Sequence, residues 1–271
     1  MPERRRGTTA TFVGAGGLLL LLLLAAVAPW LPVPSPYTTA LEARLAPPSA
    51  SAPLGRDALG RDVLARLVQG ARISLGVGVC TVAVSLALGI TLGALAGYLG
   101  GWTDEVIARL IDVLLAFPGI LLAVALAAVL GPTLPNVVLA LSVLGWTGYA
   151  RLTRTQVMSL RQRDFVVAAR ALGVAPARVV VRHILPLAAP LLLVQATFGL
   201  SGAILAEATL SFLGLGVPPP LPSWGAMLDE GRIFMLVAPH LVVAPGVALA
   251  LTVLALQLLG DGLRDLLDVP S

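Results

Sequence analysis

The sequence predicts an all-α polytopic membrane protein with six transmembrane helices. Three observations carry this. Only 12% of the 271 residues are charged while 58% are hydrophobic, against about 25% charged in a typical soluble domain. The mean hydropathy is +0.95. The apolar residues form long runs, as spanning helices require, rather than the ten-residue alternation of barrel strands.

The first span is placed at Phe12 to Leu31, behind Arg4, Arg5 and Arg6. A basic start, an apolar core and Ala26-Val27-Ala28 also fit a signal peptide. Cleavage there would leave Pro29 at the first mature position, so an uncleaved anchor is the preferred reading. Pro and Ser cluster from Pro29 to Pro53, an irregular external linker. The second span is placed at about Ile73 to Leu99.

Positions 113 to 150 are 38 residues without a formal charge. One helix of that length would run about 57 Å, nearly twice a hydrocarbon core of about 30 Å. The segment therefore folds back, with Gly131 to Asn136 as the turn. This yields span three, about Val106 to Leu130, and span four, about Val137 to Leu152. Span five is placed at about Leu187 to Ala206. Span six is placed at about Leu241 to Leu259, with Pro245 as a kink. The resulting organisation is an N-terminus and first helix (1–31), an external linker (32–71) and a core (72–271) containing a cytoplasmic loop at about 151–186.

All 18 cationic residues are Arg. With both termini cytoplasmic, 12 lie inside and 6 outside, and seven fall between 151 and 182. That is the bias of cytoplasmic loops, and it explains the net charge of +4 without nucleic acid. Four of the six external Arg share the first external loop with Glu42, Asp57 and Asp62, which are expected to pair locally. Cys80, the lone cysteine, forms no internal disulfide and suits buried packing. His183 and His240 fall on opposite sides of the membrane, so no metal site is expected.

The cytoplasmic insert is the most informative stretch. Asp164 is placed as an N-cap, suited to the helix dipole. Phe165, Ala168, Ala169 and Leu172 follow at i, i+3, i+4 and i+7, one face of a helix. Gly173 suits a left-handed C-terminal cap, Pro176 opens a second helix and Pro186 marks the start of span five. Small residues at 168 and 169 let another surface approach the backbone. A generic interfacial amphipathic helix has the same periodicity.

Ala168, Ala169, Gly173, Leu185 and Pro186 have the spacing A-A-x(3)-G-x(11)-L-P. This resembles the coupling loop of ABC-importer permeases. From Leu54 to Asp268 the chain resembles the C-type inner-membrane permease of the dipeptide/oligopeptide/nickel ABC-importer family. The likeness is carried by LGRDALGRDVLARLVQGARISL (54–75), GYLGGWTDEVIARLIDVLLAFP (97–118), SFLGLGVPPPLPSWGAMLDEGR (211–232) and GDGLRDLLD (260–268). Val167 stands where the family often has Glu, which puts a salt bridge to the ATPase there in question. Leu187 stands where Asn is common.

The resemblance implies a type I ABC-importer permease fold. It implies a partner permease, one or two ATPase subunits and an extracytoplasmic solute-binding protein, in a bacterial inner membrane. ATP is then used by the ATPases. This chain has no G-x-x-x-x-G-K-[ST] loop, binds no cofactor itself and is not expected to be an enzyme. It further implies ATPase coupling through Phe165, Ala168, Ala169, Leu172 and Gly173. Binding-protein docking falls to the external stretch with Ser211, Gly214, Gly216, Ser223, Trp224, Gly225 and Arg232. Cargo is expected to be peptide, with nickel or glutathione as alternatives within the family.

Glu207, near the outer end of span five, either lines the pore or hydrogen-bonds to a neighbouring helix. Gln195 and Ser201 share no stripe and are given no site. Asp112 is expected to pair with Arg109 at i,i+3. A stand-alone secondary transporter is the competing class, but it calls for internal repeats, and none is evident. A Ser201/His240 dyad lacks anything to orient the histidine.

Overall fold

A computed structural model describes residues 15–17 and 34–267, so the expected first span lies largely outside the described residues. Helices dominate. They are α1 (Val63–Leu99), α2 (Gly101–Leu115), α3 (Gly119–Leu130), α4 (Leu134–Leu160), α5 (Asp164–Ala171), α6 (Pro176–Phe212), α7 (Trp224–Arg232) and α8 (His240–Leu266). Among the described residues α1, α6 and α8 are long and apolar enough to cross a membrane. The bent pair α2–α3, taken as one span, makes a fourth. Helix α4, which carries Arg151 and Arg154, is not among them, so the described residues do not establish the count of six.

Helix α1 begins ten residues before the expected span. Asp62 caps it, its carboxylate accepting from Ala65 N at 2.9 Å, which satisfies one of the orphan donors of the first turn. Its first turns therefore stand in the linker region, not in the predicted span. Cys80 is exposed on this helix rather than buried, because it lines an open apolar groove between α1 and α4. Gly100 and Gly101, at φ +68° and +55°, turn the chain into α2.

The expected third span is not one straight helix. It breaks between Leu115 and Gly119 with a bend of 85°. Pro118 supplies no N–H and disfavours a helical residue before it, so the α2 ladder ends there. The turn expected at Gly131 to Asn136 is present. Thr133 caps α4, and the Asn136 amide donates to Leu130 O at 2.6 Å and Gly131 O at 3.1 Å.

Helices α1 and α4 lie unusually close along Ser85, Gly89, Gly93 and Gly97. A Cβ at Gly93 would collide with the Ala150 carbonyl, and one at Gly97 would sit 2.7 Å from Arg154 O. Small residues every fourth position let two backbones meet where water contributes no driving force. The Arg161 guanidinium donates to Gly97 O at 2.9 Å and Tyr98 O at 3.2 Å, occupying carbonyls that the last turn of α1 leaves free. Helix α2 closes on this pair through buried Ile107 and Ile111. Asp104 accepts two bonds from Arg154, one of them 2.7 Å from Nη2. Asp112 reaches across to Arg151 at 2.8 Å rather than along its own helix to Arg109, because the α2–α4 packing brings the two together.

Although α6 runs on behind it to Pro176, Pro186 is the second residue of the α-helical stretch Leu185–Phe212, where span five is expected to begin. A π turn, Val180–Ile184, precedes it, with Leu185 N bonding Val180 O. The wider turn suits a proline that cannot donate to the carbonyl four residues back. Pro190 and Pro245 likewise sit within continuous helices.

The linker folds against the end of the bundle that holds α7. Asp57 accepts from Arg61 Nε at 2.6 Å and Arg66 Nη1 at 2.5 Å. Both guanidiniums also donate to Glu230 of α7. Asp57 therefore pairs locally as expected, while Asp62 serves as a cap. Trp224, 1% exposed, fills the centre of this end and donates from Nε1 to Leu67 O at 3.0 Å.

Candidate functional site

The insert after α4 folds into a compact knob. Arg163, not Asp164, holds the N-cap position, and Asp164 is the first helical residue, with no side-chain cap bond. An acid in the first turn still favours the helix dipole. At the other end Val174 N bonds Ala169 O at 3.1 Å, and Gly173 N bonds Arg170 O at 3.0 Å. With Gly173 at φ +78° this is a Schellman termination. Gly173 thus fills the expected left-handed position.

The four residues assigned to one face are divided by the structure. Val166 (0% exposed) and Ala169 (9%) face inward onto Ala94, Val157, Val179 and Ile184. Phe165 (43%), Ala168 and Leu172 (84%) face outward. The small apolar core ties α5 to α1, α4 and α6 at once, so the knob is a rigid extension of three long helices. The outward surface is apolar and flanked by exposed Arg163, Arg170 and Arg178.

At the opposite end Glu207 is fully buried. It accepts from Ser74 Oγ at 2.9 Å and Ser211 Oγ at 2.7 Å. Ser223 Oγ lies 3.2 Å from Ser211 Oγ, and Trp224 N donates to Ser74 Oγ at 3.3 Å. Of the two readings of Glu207, this is a hydrogen-bonded clasp joining α1, α6 and α7. The nearby glycines are part of it. Gly216 lies against Ser211, and Gly225 against the Ala208 backbone. Ser211, Ser223, Trp224 and Gly225 are buried, whereas Arg232 is exposed and stacks over Phe212 at 5.1 Å. Gly214, at φ +77°, turns the chain out of α6. The buried residues of this stretch therefore shape a surface that other residues present.

Sequence reasoning overlooked the link from Arg61 and Arg66 to Glu230, the glycine stripe of α1 and the gathering of Thr81, Ser85 and Tyr149 near Gln195. The stripe was legible as Gly89-x(3)-Gly93-x(3)-Gly97. The Arg66–Glu230 link joins residues 164 positions apart and left no local signal.

Comparisons with known proteins agree with this architecture. The family described as "Binding-protein-dependent transport system inner membrane component" matches residues 89–269. The glutathione transport system permease protein GsiD of Pectobacterium atrosepticum is 47% identical over 221 residues, 82% of this chain and 73% of that protein. The dipeptide transport system permease protein DppC of Alkalihalophilus pseudofirmus is 47% identical over 225 residues, 83% of this chain and 74% of that one. Among solved structures, a chain of the MetNI methionine ABC transporter in an inward-facing conformation superposes with a TM-score of 0.60. It is 20% identical and is matched over 73% of this chain and 94% of its own, a likeness of fold.

Proposed function

Because this chain belongs to the family of binding-protein-dependent transport system inner membrane components and is a permease subunit of an ABC importer, we propose that it forms half of a path for peptides and receives its power stroke through the outward face of α5. The observation that carries the coupling assignment is the split of the α5 helix. Leu172, 84% exposed, crowns an apolar knob whose other face is locked to α1, α4 and α6. An apolar surface of this kind, rimmed by Arg, suits a protein partner, and its rigid base passes any displacement on to the long helices.

The partners are a second permease, one or two ATPase subunits and an extracytoplasmic binding protein. The knob faces the cytoplasm and the α7 end faces outward, in keeping with the Arg distribution, and both termini are cytoplasmic. ATPase closure displaces the two knobs, the bundles rotate and cargo enters from the docked binding protein. ATP is bound and split by the ATPases, not by this chain. Val167 is exposed and apolar, so it meets the ATPase by shape where a Glu would form a salt bridge.

Peptide cargo is supported by two relatives, one named for dipeptides and one for glutathione, itself a small peptide. Glutathione is the second reading, because that relative is equally similar, at 47%.

Copurification tests the reading. A tagged Leu172→Arg chain should keep its thermal stability and lose its ATPases. Normal ATPase recovery and normal uptake by that variant would sink the α5 assignment.

A further inference from the structure

A cleft of about 400 Å³ opens between α1, α3, α4 and α6, a size typical of small-molecule sites. No residue lining it carries formal charge. Among the described residues, five buried side-chain polar atoms have no hydrogen-bond partner, and three of them belong to residues that line this cleft. They are the hydroxyls of Thr81, Ser85 and Tyr149, on residues 4%, 1% and 5% exposed. Native bundles seldom leave buried hydroxyls unpaired. Three such hydroxyls on the wall residues of one cleft, packed behind its surface against Gly145 and Gly199 among others, form a polar reserve that a small turn of each side chain brings to the cleft. Gln195 adds an amide at the rim, and Gly148 and Gly202 leave the walls open to a backbone.

We propose that this cleft is the chain's cargo subsite, and that it holds the uncharged backbone amides of a peptide. The inference rests on the reading of the chain as an importer permease. An amide offers one donor and one acceptor. A hydroxyl can turn to meet either, and Gln195 offers both. With no charge in the walls, the site does not select a terminal carboxylate or ammonium group. It therefore grips what all peptides share and ignores their side chains. The larger groove on the other face of α1 and α4, about 840 Å³, is the poorer cargo site. Its walls are mostly apolar, with Ile73, Val77, Val84 and Leu139; Arg72 also lines it, and the Ser142 hydroxyl there already donates to Thr81 O.

The test uses the complete importer in proteoliposomes, with saturating binding protein and radiolabelled trialanine, and reads cargo moved per ATP hydrolysed. A Thr81→Val/Tyr149→Phe double variant removes hydroxyls without adding bulk. Its ratio should fall about three- to tenfold, since cargo that is not held slips back while hydrolysis continues. Gln195→Leu, at the exposed rim, should lower the ratio in the same direction with no demand on folding. Thr209→Val removes a hydroxyl of α6 outside the cleft and should leave the ratio unchanged. An unchanged ratio in both cleft variants would overturn the subsite and leave the importer reading standing. Absence of ATP-driven uptake of dialanine, trialanine and glutathione alike by the parent importer would overturn the peptide reading, and the subsite with it.

Discussion

Arg66 of α1 and Glu230 of α7 are joined by two hydrogen bonds, Nη1 to Oε2 at 2.6 Å and Nη2 to Oε1 at 2.9 Å. The Arg66 side chain is 3% exposed and Glu230 is 37% exposed. Removing the buried member is the more damaging change, because it strips Asp57 and Glu230 of a shared cation. Arg66→Ala should lower stability by about 3 kcal/mol. Glu230→Gln, which leaves Arg66 paired with Asp57, should cost about 1 kcal/mol. Thermal melts of the detergent-solubilised chain would show the ranking, and equal losses would contradict it.

Glu207 is fully buried and held by the Ser74 and Ser211 hydroxyls. Glu207→Gln keeps an oxygen acceptor, and a serine can turn to meet the new amide, so stability should change by about 1 kcal/mol or less. Glu207→Ala opens a void and leaves Ser74 and Ser211 without their acceptor, at about 2–4 kcal/mol. Uptake by the Gln variant should keep its cargo preference. A changed preference would return Glu207 to the pore.

The glycine stripe makes a graded prediction. Gly93→Ala forces α1 off the Ala150 carbonyl and should cost about 1–3 kcal/mol. Gly76→Ala, on the same helix with nothing within 4 Å, should gain about 0.5–1 kcal/mol through helix propensity. Similar melting temperatures for the two would show that the α1–α4 approach is looser than described.

Two aspartates of α2 should differ. Asp104 accepts two bonds from Arg154 and its side chain is 19% exposed, whereas Asp112 meets Arg151 with side chains 60% and 54% exposed. Asp104→Asn should cost about 1–2 kcal/mol, and Asp112→Asn less than about 0.5 kcal/mol. Chemical denaturation of both variants at low and high salt would rank them.

Within α5, Ala169→Arg should destabilise the fold, because Ala169 faces the core beneath the knob. Leu172→Arg should leave the melting temperature within about 1 °C, since a surface change of under 0.5 kcal/mol moves it little. Loss of ATPase binding should follow in both, for different reasons. A stable Ala169→Arg chain would place that residue outward.

The amino-acid sequence by itself determined the membrane class, most of the described helices, the turn at Gly131–Asn136, the left-handed cap at Gly173 and the family. These rest on local properties: hydropathy over a helix length, prolines and glycines at breaks, and short motifs in order. Tertiary structure alone decided which side of α5 is free, because Val166 and Ala169 turn inward only when α1, α4 and α6 are there to receive them. It decided that Asp112 bonds Arg151, that the expected third span is broken by an 85° bend between α2 and α3 and that Ser74 of α1 completes the Glu207 clasp. It also gathered Thr81, Ser85, Tyr149 and Gln195 into one cleft from three helices. Periodicity reports how a helix is oriented against some core. Which residues meet across that core depends on helix crossings between segments far apart in the chain, and no local pattern encodes those.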